Sequence, residues 1–155
     1  MTLLGIVTTK SLVGDARFES VAGSSDLVVA TVDKRPNGTF SNAYSYGRET
    51  WRFAHEGTID DIELLRRRVA PRRALQIENG GESACLFSFV LTCVDAVGTT
   101  DGGLRRAVND IRNSGVRGKF SFVLSDADAL YAYSGEALVW LARPHTIVVA
   151  SEPLT

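Results

Sequence analysis

Little in this chain speaks for disulfides, metals, membranes or nucleic acid. Only two cysteines, Cys85 and Cys93, occur among 155 residues. They lie on one predicted helix, eight positions apart, which at 1.5 Å rise per residue is about 12 Å. A disulfide needs its Cα atoms within about 7 Å. The pair therefore reads as reduced, buried packing thiols in a cytoplasmic protein. Apolar runs fall far short of the roughly 18 residues that a membrane span requires. The N-terminal stretch Met1 to Val7 lacks the basic leader and h-region of a secretory signal. The two histidines, His55 and His145, have no ligand-spaced companions, so neither metal nor cofactor is expected. Phosphate-loop, dinucleotide and serine-hydrolase motifs are missing. So is a charge surplus of one sign: 17 basic and 18 acidic side chains leave a net charge of −1, which argues against nucleic acid as a partner.

What is present is a globular balance. Hydrophobic residues make up 45% and charged residues 23%, and the length suits one domain spanning 1–155 with a sizeable core. Thr2 to Thr9 reads as a strand interrupted by Gly5, and Asp15 to Val21 as a short helix. Leu27 to Val32 is a near-continuous apolar run of strand length. Lys34 to Thr50, with Pro36, two glycines and two asparagines, reads as a long loop, and loops of that length are often functional. Trp51 to His55 alternates as a strand and stops at Gly57. Thr58 is the expected N-cap of the next helix. Asp60, Asp61 and Glu63 fall in its first turn and Arg66, Arg67 and Arg68 near its end, in keeping with the helix dipole. Glu82 to Ala96 and Leu104 to Asn113 are two further helices, the first apolar on most faces.

The last third changes character. Lys119 to Leu124, Ala129 to Tyr133, Ala137 to Leu141 and Thr146 to Ala150 are strand-like. Asp126-Ala127-Asp128, Ser134-Gly135 and Arg143-Pro144 supply the turns between them. Strands, then helices, then an antiparallel meander predict an α+β domain in which helices pack on sheets, without βαβ alternation.

Three blocks carry a family likeness. Trp51-Arg52-Phe53-Ala54-His55-Glu56-Gly57-Thr58-Ile59 resembles a "FAHNGTI" strand and turn. Phe120 to Asp126 with Leu130-Tyr131-Ala132-Tyr133 resembles an "FNFLLSDG…LYAYR" hairpin, and Val148 to Leu154 a "VVASEPL" strand. Together they are similar to the glutaminase domain of class II glutamine amidotransferases, especially the small stand-alone bacterial branch. The resemblance implies the N-terminal-nucleophile hydrolase fold, an αββα sandwich of two mainly antiparallel sheets flanked by helices, here incomplete at both ends.

The same resemblance implies a chemistry that these residues meet only in part. Family members use an N-terminal Cys as nucleophile, with its own α-amine as base, followed by an "LLGI" strand. Leu3-Leu4-Gly5-Ile6 fits that strand, but Thr2 stands where the Cys belongs. Removal of Met1 would leave Thr2 as an N-terminal nucleophile; a retained Met1 would lock its amine in a peptide bond. Thr2 to Thr9 also fits a later family strand, and either alignment leaves no nucleophilic Cys. In the family's "HNG" the Asn amide and the Gly N–H hold the oxyanion. Here His55-Glu56-Gly57 keeps the backbone donor and replaces the side-chain donor with a carboxylate. Losing one such donor costs about 2.7–4 kcal/mol of transition-state stabilisation. Arg35 fits the Arg that grips the glutamine carboxylate. Glu82, in Asn79-Gly80-Gly81-Glu82-Ser83-Ala84, replaces the Asp of "GDTDSE" that grips the amine. Of the "NTHPF" segment, Asn42 and the aromatic Tyr46 remain.

The expectation is a catalytically inactive glutaminase-like domain that binds, scaffolds or regulates. The alternatives are an amide hydrolase or amidotransferase using Thr2, and an amino-acid sensor holding glutamine or a relative through Arg35, Glu82 and His55. A sheet edge left open by strands missing at the chain ends, or the arginine-rich helix with Arg66, Arg67 and Arg72, is expected to meet a protein partner or a second copy.

Overall fold

The structure, a computed structural model, describes residues 2–8, 27–32, 39–40, 45–46, 49–74, 81–126, 129–135, 138–143 and 146–150. The chain opens with strands β1 (Thr2–Thr8), β2 (Leu27–Val32), β3 (Thr39–Phe40), β4 (Ser45–Tyr46), β5 (Glu49–Thr50) and β6 (Arg52–Gly57). Helices α1 (Ile62–Arg66), α2 (Pro71–Ala74), α3 (Gly81–Val97) and α4 (Thr100–Asn113) follow. Strands β7 (Phe120–Ser125), β8 (Leu130–Ser134), β9 (Val139–Arg143) and β10 (Thr146–Ala150) complete it. Two compact units result: Met1–Glu56 with Ser121–Thr155, and Gly57–Phe120.

In the first unit, five strands form a sheet in the order β3-β2-β1-β10-β9, with antiparallel pairing throughout. Strand β1 is its middle member, Leu4 lying opposite both Ala30 and Ala150. The β-branched residues that crowd β2 and β10 suit such pleated positions. Among the described strands β1 and β10 are interior, and the ends of the sheet are β3 and β9. This arrangement corrects the meander: β9 and β10 pair here, while β7 and β8 pair in a separate sheet of order β6-β7-β8.

Alternation sorts the residues of that three-stranded sheet onto two faces. On one, Phe53, Phe122 and Tyr133 form an aromatic row across the strands, with ring centroids 5.6 and 5.4 Å apart. On the other, Ala54 and Val123 are buried against Leu130, and the Ser121 and Ser134 hydroxyls bond at 2.7 Å. Asp126 organises the β7–β8 turn. Its Oδ1 accepts the Ala129 N–H at 3.0 Å and its Oδ2 the Tyr131 hydroxyl at 3.2 Å, the local side-chain bonding that makes Asp a turn residue.

The second unit is helical, and α3 is its core. Every residue from Ala84 to Leu91 is buried, so its apolar surface is covered on all sides, as its composition predicts. Helices α1, α2 and α4 all pack against it. Helix α4 presents Leu104, Ala107 and Ile111 as a buried stripe at helical spacing. Gly103 permits its close approach, since a Cβ there would overlap Val94. Cys85 and Cys93 are free and buried, as expected.

Three expectations need correction. Thr58 is not a helix N-cap: its N–H donates to the Lys119 carbonyl at 3.1 Å, and the Asp60 N–H to the Arg117 carbonyl at 3.0 Å. Strand-like pairing therefore runs past Gly57, and α1 begins only at Ile62, with Asp61 as its N-cap. The single arginine-rich helix is two short ones. α1 ends at Arg66 and α2 opens at Pro71, where proline's missing N–H costs nothing. The supposed loop 34–50 carries β3, β4 and β5. The expected helix at 15–21, Arg35, Asn42 and His145 lie outside the described residues.

Candidate functional site

The residues His55-Glu56-Gly57 end β6. Gly57 has φ +101°, and a Cβ there would fall on the Lys119 carbonyl oxygen. Gly118 answers it with φ +136°, its own missing Cβ leaving room for the Thr58 carbonyl. Each backbone thus passes so close to the other that only glycine fits at either point. The turn bearing Gly57 is held firmly.

His55 is buried, and burial pulls its imidazole down to about 4, so it is neutral at physiological pH. Its immediate neighbour, Glu56, is half-buried. Glu82 stands in the first turn of α3. Its Oε2 accepts the Ile59 N–H at 3.3 Å, which joins the turn after β6 to that helix. Gly57 and Glu82 are thereby brought onto connected backbone. Thr2 is the first residue of β1, at the end of its ladder with β2 and opposite Val32.

The arginines do not gather at one point. Arg66 pairs with Glu63 at 3.0 Å, an exposed contact worth about 0–1 kcal/mol. Arg67 caps α1 through its amide, which donates to the Glu63 carbonyl. Arg72 reaches Asp95 at 2.7 Å. Arg73, whose place in this arginine-rich stretch suggests a solvated surface, is instead 4% exposed and grips the same carboxylate with two bonds of 2.8 Å. Hydrogen bonding to Arg73 holds Asp95 below the usual carboxylate range. Arg68 bonds Asp110 at 2.8 Å and lies 5.4 Å over the Phe89 ring. Among the described residues, no group of three or more His, Cys, Asp or Glu could hold a metal ion, and no helix is long and apolar enough to cross a membrane.

A pH dependence follows from His55. Its folded value of about 4 lies below the unfolded 6.5, so between them the unfolded chain binds the extra proton. Stability is therefore full above pH 6.5 and is lost as pH falls towards 4, by about 3 kcal/mol in all. Urea unfolding at stepped pH is expected to show this slope in the wild type and a flat profile for His55→Leu between pH 6.5 and 4.5. Asp95 titrates below that window and does not confuse the reading.

The comparisons with known proteins agree with this architecture. The family profile of the class II glutamine amidotransferases matches residues 11–152. A solved structure of a glutamine aminotransferase class-II domain protein from Silicibacter pomeroyi is similar at 18% identity and a TM-score of 0.60, over 99% of this chain and 87% of that one. No curated protein matches the chain. The chain belongs to the class II glutamine amidotransferases. Its α+β make-up of helices with an antiparallel sheet is consistent with an N-terminal-nucleophile hydrolase-like fold.

Proposed function

We propose that this domain is a catalytically silent member of its family, acting by binding another protein. One observation carries the reading most: the chain's only two thiols are both sealed inside α3. Cys85 is 0% and Cys93 4% exposed. Burial raises both thiols, Cys93 to about 11, and only the thiolate attacks. Neither is poised as a nucleophile. Glu56 supports the same reading, because it offers negative charge where an oxyanion would grow.

The partner surface we propose is β9, the end of the five-stranded sheet, where Val139 is 40% exposed. An exposed edge strand is a template for pairing, and a second copy of the chain is the simplest occupant. We further infer that the five- and three-stranded sheets are the inner layers of the expected sandwich; the approach of β1 to β8 supports this.

The test is direct. Purified protein is expected to release no ammonia from glutamine or other γ-amides above the Thr2→Ala background, with Glu56→Asn alone restoring none. It is expected to scatter light as a dimer that Val139→Lys weakens. Turnover abolished by Thr2→Ala sinks the silent reading, and a stable monomer that captures no partner sinks the binding one.

A further inference from the structure

We propose that Glu82 is a positioning residue, clamping the turn after β6 onto the first turn of α3 through the Ile59 amide. The reason lies in the ladder. Thr58 and Asp60 point their N–H groups at the Lys119 and Arg117 carbonyls. In an extended segment the N–H between them points the opposite way, so Ile59 has no acceptor on that partner. Ile59 is 2% exposed, and a buried amide left unbonded costs about 1–3 kcal/mol. The Glu82 Oε2 at 3.3 Å is the acceptor it finds.

Glu82 is well placed for this on a second count. It lies in the first turn of α3, where a negative side chain is favoured by the helix dipole. The clamp and the reciprocal glycines then fix the same few residues from two sides, Gly57 and Gly118 against the strand partner and Glu82 against the helix. The role is independent of whether the site turns over an amide. It also changes the expected use of Glu82, since a cationic ligand taking this oxygen must first displace the Ile59 amide, loosening the turn that carries Gly57.

Amide hydrogen exchange on the whole chain, resolved by residue, tests this. Glu82→Ala is expected to speed Ile59 exchange about tenfold or more, while Thr58 and Asp60, bonded to main chain, stay within about threefold of wild type. Glu82→Gln keeps an acceptor oxygen at the same reach and is expected to restore protection at Ile59. The proposal is overturned if Ile59 does not respond to Glu82→Ala, if all three amides speed up together, or if Glu82→Gln behaves like Glu82→Ala.

Discussion

Asp95→Ala is expected to destabilise the protein by about 3–5 kcal/mol, enough to remove much of a typical domain's stability. The carboxylate accepts two bonds from Arg73 and a third contact from Arg72. Arg73 is almost wholly buried, so truncating Asp95 takes its two-bond acceptor away from a guanidinium charge in a poorly solvated place. That loss at a buried charge sets the size of the effect. The two predictions to compare are therefore Asp95→Ala and the double change Arg73→Met with Asp95→Leu. The double variant removes both charges and is expected to recover most of the loss, as apolar replacements of buried pairs do. Urea titrations with an unchanged m value would place the difference in the folded state. Equal destabilisation of the single and double variants would show that shape, not charge, holds α2 to α3.

Gly57→Ala is expected to cost on the order of 3 kcal/mol. Two independent terms add here: a left-handed backbone that an alanine adopts only under strain, and a methyl group placed on the Lys119 carbonyl oxygen. A main-chain oxygen cannot swing aside as a side chain would, so the strand pairing itself must part. Thermal unfolding measures the loss. The control is Gly115→Ala, whose φ is also positive, at +78°, but whose Cβ meets nothing within 4 Å. It isolates the backbone term, and a Gly57 variant no worse than this control would show that the close crossing gives way.

The contrast between what the sequence reveals and what it hides follows the range of the interactions. The apolar run of α3 and the alternation of β6 are local signals, and both elements stand within a residue or two of their expected bounds. The motif around His55-Glu56-Gly57 is legible because its residues are contiguous. Helix α1 is a different case. Its acid-first, base-last pattern is real, but the Thr58 and Asp60 amides are claimed by Lys119 and Arg117, far along the chain. No window around Thr58 contains that information. The same holds for Arg73, which reads as one more surface arginine until Asp95 is brought to it. Sheet membership was hidden likewise: β7 to β10 look alike as sequence, and only the pairing of β10 with β1 separates the two hairpins.

The hydrogen bond from Thr58 to Lys119 has one more implication. The helical segment begins at Gly57 and ends at Phe120, and this bond fastens the residues just inside its two ends together at 3.1 Å. The polypeptide thus departs from β6 and returns at β7, neighbours in one sheet. In chain order the helices are therefore a single insertion between two strands that are hydrogen-bonded to each other.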